Sequence, residues 1–242
     1  MLSRLVLKKR IKDEAEKPFW ISFSDLMSAL MVLFLLVMCV ALLAVTQEVD
    51  EGQKKAQDRA SDIKTLVGLL HKQTIMDPDF RGIKVDTVKG IVDFGSRAQF
   101  DSQSHRLKSE QEDLLRRYVS KVVLEMLRHP LGQKWVKRVV VEGFADTRGT
   151  YLYNLNLSLQ RSQRVLCVLL ENPKGASFNL AEGDKNSVRD LFLVGGSSFN
   201  NAKKKDDESR RIELRIEFLG VDEQRPPVVS ERSDYGSCYV GM

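Results

Sequence analysis

The chain has 242 residues, with 38 Lys and Arg against 33 Asp and Glu, a formal net charge of +5. A charged fraction of 29% and an apolar fraction of 43% exclude a collagen-like or wholly disordered chain, and the length fits one sizeable domain plus extra segments. Three Cys are too few for a disulfide scaffold, and neither they nor the three scattered His have zinc-site spacing. The mean hydropathy of −0.25 is that of a soluble protein, but the average conceals one strongly apolar segment.

Residues 1–18 form a basic tail, with Arg4, Lys8, Lys9, Arg10, Lys12 and Lys17 against Asp13, Glu14 and Glu16. Residues 19–45, FWISFSDLMSALMVLFLLVMCVALLAV, carry a single charge, Asp25. As a helix at ~1.5 Å per residue this run reaches about 40 Å, more than a ~30 Å hydrocarbon core requires. A cleaved secretory signal does not fit, because its apolar region is only about 7–15 residues long and ends at a small-residue site. No such site precedes Thr46, and Met38 stands where a lipoprotein signal needs a small residue before Cys39. Glu48, Asp50 and Glu51 follow the span before any Lys, so the excess of positive charge predicts a cytoplasmic N-terminus and an exported remainder. The tail carries most of the net charge, which makes the basic balance a topology signal and not a nucleic-acid footprint.

Phe19 and Trp20 suit the cytoplasmic interface of the membrane. Asp25 lies five residues beyond Trp20, about 7.5 Å along a helix. An ionisable side chain inside a span is costly and points to function. Ser22, Ser28 and Ala29, at i−3, i+3 and i+4, share its face and make that face small and polar, as close helix packing requires. The alternative is a span that begins after Asp25, since residues 26–45 are twenty residues without a charge. If Asp25 is inside, one helix alone makes no ion path, so a dimer or a partner membrane subunit must shield it. Shielded there from water, a carboxyl can load and release a proton.

Residues 46–80 read as a helical linker. Ile63, Leu66, Val67, Leu69 and Leu70 give its second half an apolar stripe, and Pro78 ends it. A spacer helix, pairing as a short coiled coil, and a plug over an ion path are the two readings. From residue 81 to 220 the pattern becomes mixed. Ile83 to Phe94 predicts one strand or two short ones, and residues 109–129 a helix ending at Pro130. Residues 138–145 (RVVVEGFA) predict a strand, 153–170 a second helix, 191–194 a short strand and 211–219 (RIELRIEFL) a closing strand. The expected fold is therefore a single transmembrane helix followed by an α/β domain, one sheet covered by helices. Residues 221–242 form a tail rich in Pro, Ser and mixed charge. In an oxidising compartment its Cys238 can bridge to Cys167; two free thiols are the alternative. Cys39 lies in the apolar span.

The densest chemical signal is EGFADTRG at 142–149 followed by YNLNLSLQRSQRV at 153–165. A strand ends, a Gly loop carries Asp146, and a helix presents Arg161. The plain reading is a surface salt bridge worth ~0–1 kcal/mol. The functional reading is a clamp for a zwitterion, with Asp146 taking an ammonium and the planar fork of Arg161 a carboxylate. A hydrolase is not expected, because this pair has neither a second placed acid nor a Ser/His partner.

These residues resemble the OmpA-like peptidoglycan-binding family. Gly143, Asp146, Gly149, Asn154, Leu157-Ser158, Arg161 and Val165 match its G-H-T-D-x₂-G…N-x₂-L-S-x₂-R-A-x₂-V pattern. Phe100-Asp101 with Leu107-Lys108, and the closing Arg210-Arg211-Ile212-Glu213, match its flanks. Phe144, Ala145, Ser162 and Ser209 depart from it. The resemblance covers residues 83–219 and implies that Asp146 and Arg161 grip the diaminopimelate of a peptidoglycan stem peptide, with Asn154, Phe100 and Asp101 beside them. A basic tail, one span with Trp20 and Asp25 and such a domain together resemble the MotB-like stator family. The fragment WISFSDLMSALMVLF is more similar to the MotB-like subunits of the Zorya anti-phage defence systems than to flagellar ones. The resemblance implies an ion-carrying Asp25 with Ser22 and Ser28 along its path, a homodimer surrounded by five MotA-like membrane subunits, and peptidoglycan as the anchor. It also implies no cofactor, a transported proton sooner than sodium, no nucleic acid, and a single-pass inner-membrane chain with a periplasmic C-terminal domain. A flagellar stator and a passive wall tether are the rival readings.

Overall fold

The computed structural model describes residues 12–173, 176–225 and 235–239, with side chains from Trp20 onward. Residues 1–11 of the basic tail, and residues 226–234 and 240–242 of the C-terminal tail, lie outside the described residues. So do the side chains of residues 12–19, Phe19 among them. The described chain divides into two units, one ending at Ala56 and the other running from Gln57 onward.

The first unit is helical. Helix α1 runs over Lys12–Met76 without a break and enters the second unit. Its most apolar 18-residue window has a mean hydropathy of 3.0, and none of that window is buried. Leu, Val, Met and Phe side chains from Leu26 to Val45 stand exposed, and the helix is long and apolar enough to cross a membrane. The backbone stays helical through Asp25, and the Ser28 hydroxyl donates to the Ser24 carbonyl at 2.7 Å, so both serines stay within the helix's own hydrogen bonding.

The second unit begins with the end of α1. Leu66, Val67 and Leu70 are fully buried there, while Leu69, on the other side of the turn, is exposed. The stripe read from the sequence as a spacer's seam is thus part of this unit's own core. The sequence places the start of the domain at residue 81, but the last five turns of α1 already belong with it because their apolar residues fill its interior. Polar contacts fasten the same stretch. The Trp135 Nε1–H donates to Asp62 at 2.8 Å, Arg59 Nε to the Leu219 carbonyl at 2.6 Å, and the Thr74 and Tyr118 hydroxyls bond at 2.9 Å.

Two short strands, β1 (Lys84–Asp86) and β2 (Ile91–Asp93), pair as a hairpin closed at Gly90, whose φ of 65° suits glycine. Helix α2 (Ser109–Tyr118) passes through a π-helical stretch, Val119–Leu124, into α3 (Glu125–Arg128), and α4 (Pro130–Trp135) starts with Pro at its first turn. Then come β3 (Val136–Gly143), α5 (Tyr151–Leu170), α6 (Glu182–Leu191), β4 (Phe192–Gly196), the short α7 (Asp206–Ser209) and β5 (Ile212–Phe218). Helix α6 falls in a stretch that the sequence reading left unassigned.

Among the described residues the strands form one mixed sheet in the order β1-β2-β5-β3-β4. β3 runs parallel to β4, and the other pairs are antiparallel. Alternation decides its two faces. Val139, Val141, Ile212, Leu214 and Ile216 point to the helices and are buried. Glu142, Glu213, Arg215 and Glu217 occupy the other face, where Arg211 bonds Glu213 at 2.7 Å, Arg138 bonds Glu217 at 2.5 Å and Arg215 pairs with Glu142. The Cys167–Cys238 disulfide, with its Cα atoms 5.8 Å apart, ties the tail to α5; Cys39 is free.

Candidate functional site

The register brings the end of β3 beside the end of β4 and the start of β5, with Gly143 paired to both Gly196 and Ile212. The loops after β3 and β4 and before β5 therefore meet at one end of the sheet. Helix α5 is drawn tightly against that end. A Cβ on Gly143 would sit 2.1 Å from the Ser158 carbonyl oxygen, so only glycine fits. Gly149 has φ +98°, which lets the loop turn back into α5, whose first turn is capped by Thr150 accepting from the Tyr153 N–H.

Asp146 sits in this loop, 7% exposed. Its carboxylate accepts from Arg148 Nη2 at 2.7 Å, from the Arg148 backbone N–H at 3.2 Å and from Arg210 Nη1 at 3.1 Å. Burial pushes the Asp146 carboxyl up. The Arg148 side chain and backbone N–H, with Arg210, outweigh that and hold it below the usual carboxylate range.

Arg161 is fully buried. Its Nε donates to the Ser104 carbonyl at 2.9 Å, Nη1 to the Phe144 carbonyl at 2.7 Å and Nη2 to the Asp101 carbonyl at 3.2 Å. The Phe100 ring lies 5.0 Å from the guanidinium carbon. Burial pushes the pKa down to about 10, with the charge of Asp146 opposing and that of Arg210 assisting, so the group remains a cation at neutral pH. The pair read from the sequence is thus brought to one place but not as a mutual salt bridge. Asp146 is held by Arg148 and Arg210, and Arg161 by main-chain carbonyls.

The other expected residues take supporting positions. Asn154 is buried, and its Nδ2 donates to the Arg148 carbonyl at 2.8 Å, fixing the loop. Phe100 is buried, accepts at its carbonyl from Arg210 Nε at 2.9 Å and packs under Arg161. Asp101 is exposed and contributes its carbonyl. The sequence reading gave no role to Arg148 or Arg210. Arg148 is the accessible one, with 57% of its side chain exposed, and it also meets Asp206 at 3.4 Å and the Ser102 hydroxyl at 3.2 Å. The signal for both lay in plain view in D-T-R-G and R-R-I-E; only the loop crossing shows that they converge on Asp146. Among the described residues no group of three or more His, Cys, Asp or Glu is placed to hold a metal ion.

Comparison with known proteins decides the family. The chain is 43% identical over 235 residues to the Zorya protein ZorB of Escherichia coli O139:H28 (strain E24377A / ETEC), covering 93% of this chain and 94% of that protein. It belongs to the ZorB family. No family model matches it. Solved structures similar to this ZorB-family chain include the cell wall anchor of the T6SS from Pseudomonas aeruginosa, with 22% identity, a TM-score of 0.39, and 62% of this chain and 96% of that one covered. The periplasmic domain of Helicobacter pylori MotB is similar at 18% identity, a TM-score of 0.35, and 55% and 75% coverage. The OmpA-like domain of FopA1 from Francisella tularensis subsp. tularensis SCHU S4 is similar at 15%, 0.34, and 54% and 75%.

Proposed function

We propose that this chain is the cell-wall-anchored stator subunit of a Zorya anti-phage motor, held in the inner membrane by α1 with its N-terminus cytoplasmic and its α/β domain periplasmic. The observation that carries the reading is the end-to-end 43% identity to ZorB. Consistent with it, one chain joins an apolar helix bearing Asp25 to a domain whose loops converge on Asp146. The oxidised Cys167–Cys238 pair suits an exported domain.

In this reading two copies present two Asp25 carboxyls to a ring of five MotA-like (ZorA-like) subunits. Ion loading at one Asp25 and release at the other steps the ring, with the proton as the favoured ion. One elementary charge crossing 100 mV supplies about 2.3 kcal/mol. Ser22 and Ser28 lie along the same helix face. The wall-binding site is the end of the sheet around Asp146 and Arg161, which grip the ammonium and the carboxylate of a diaminopimelate-type stem peptide. Arg161 also holds residues 101–104 and the end of β3 in place. The work is mechanical; neither catalysis nor a cofactor is invoked.

The test is phage plating on cells carrying the intact gene neighbourhood, wild type against Asp25→Asn, with membrane levels checked by immunoblot. Protection should collapse at unchanged protein level. Retained protection would sink the ion-carrying role and leave a passive wall tether. If the wild type gives no protection while its deletion stops swimming, the chain is a flagellar stator.

A further inference from the structure

We propose that the charged face of the sheet carries a second contact with the cell wall. A groove there takes the free carboxylates of the stem peptide, next to the diaminopimelate head gripped at Asp146 and Arg161. The inference rests on the reading of this domain as a wall anchor.

The groove has a volume of about 730 Å³ and runs from the β1–β2 hairpin to the loops that follow β3 and β4. Small-ligand pockets span ~300–1,000 Å³, so a short peptide segment fits. The register builds its floor. Lys84 pairs with Asp93 and Asp93 with Glu213 in one row; Asp86 pairs with Ile91 and Ile91 with Arg215 in the next. Strand alternation turns these side chains to one face, away from buried Val92 and Leu214. Phe144 and Arg211 line the other end. Phe144 lies two residues before Asp146, and Arg211 follows Arg210, which bonds Asp146, so the groove and the wall site share their loops.

The carboxylates of the groove are already taken. Asp86 accepts from the Val88 and Lys89 backbone N–H groups at 2.9 Å, Asp93 pairs with Lys203, and Glu213 accepts from Arg211 Nε at 2.7 Å. The cations are not. Among the described residues Lys84 and Lys89 form no ion pair. Arg211 is 4% exposed and stacks 4.0 Å from the Phe144 ring, and its buried Nη1 has no hydrogen-bond partner. Arg215 pairs with Glu142, yet its buried Nε also lacks one. The Arg215 side chain is 41% exposed and has room to turn that nitrogen towards a ligand. Buried polar groups are nearly always bonded, so two unmet guanidinium nitrogens in one groove call for an acceptor. Donors to spare beside satisfied acids make this a receptor for anionic oxygen, and the guanidinium fork matches a carboxylate. The stem peptide offers one on the γ-linked D-glutamate that precedes diaminopimelate, and another at its C-terminus. A neutral or amine-bearing ligand would leave the unmet donors as they are.

The experiment is isothermal titration of the full-length protein, in detergent micelles, with two soluble tripeptides. One is L-Ala–γ-D-Glu–meso-diaminopimelate; the other carries D-isoglutamine in place of D-glutamate. Both keep the diaminopimelate head and they differ by one carboxylate. Wild type should bind the free acid roughly tenfold more tightly, the worth of one charge-assisted contact. Lys84→Gln/Lys89→Gln and, separately, Arg215→Gln should bring that ratio towards one, with melting temperatures recorded for each. Asp146→Asn should weaken both peptides alike. A ratio near one in wild type, or a ratio that both groove variants preserve, would overturn the proposal and leave the wall-anchor reading standing. A preserved ratio with loss of self-association in the groove variants would overturn it too, and make this face a contact between copies of the chain. If wild type binds neither peptide and does not sediment with diaminopimelate-containing sacculi, the wall-anchor reading falls and this proposal with it.

Discussion

Arg161 donates through Nη1 to the carbonyl of Phe144 at 2.7 Å, and that bond holds the stretch from which Asp146 projects two residues later. The same guanidinium reaches the carbonyls of Ser104 and Asp101, so one buried cation ties helix α5 to the end of β3 and to the loop before α2. Whatever else it binds, this arginine ties three segments of the domain together.

Arg161→Ala should therefore destabilise the domain itself. Three carbonyls lose a charged donor, at ~1–3 kcal/mol for each group left unsatisfied, so a loss of about 3 kcal/mol or more is expected. For a domain of this size that lowers the melting temperature by roughly 6–12 °C, measurable by circular dichroism. A melting temperature within a degree or two of wild type would show that the carbonyl bonds contribute little.

The end of α1 gives a sharper contrast. Leu70→Ala empties a fully buried site and should cost about 2–5 kcal/mol. Leu69→Ala, on the exposed side of the same turn, should stay within about 0.5 kcal/mol. Urea unfolding of both variants in detergent reads the difference. Equal effects would mean that the last turns of α1 are a spacer and not part of the core.

Reduction of Cys167–Cys238 should loosen the molecule, because the bridge closes a sequence separation of 71 residues. A contribution of ~2–4 kcal/mol is typical. Melting with and without dithiothreitol, alongside Cys238→Ser, measures it. The variant should match the reduced wild type and be insensitive to reductant. Residues 235–239 should also become open to protease in both.

The acid response follows from Asp146. Its folded pKa lies below the unfolded value of about 3.9, so the folded state holds this proton less tightly than the unfolded one. The stabilisation is complete above the unfolded pKa and is lost as pH falls through the folded pKa. Melting temperatures measured between pH 6 and pH 3 should fall less steeply at the acid end for Asp146→Asn than for wild type. Parallel profiles would mean that Arg148 and Arg210 do not stabilise the ionised form.

What rests on local pattern could be read from the residues alone. Twenty-seven residues with one charge can only be helical in lipid, because every backbone group must be satisfied within the segment, and α1 is that helix. Period-two alternation in RIELRIEFL dictated an apolar and a charged face, and β5 has both. The two-strand option at Ile83–Phe94, the loop glycines and the placement of Asp146 and Arg161 at one end of the sheet were legible for the same reason. The tertiary structure alone decided where the apolar stripe of the linker goes, since Leu66 and Leu70 would suit a coiled coil as well as a core. It alone decided which arginine stays in solvent. Arg148, Arg161 and Arg210 have the same charge in sequence. Only the convergence of three loops at one end of the sheet buries one on carbonyls, aims another at Asp146 from behind and leaves Arg148 in front of it.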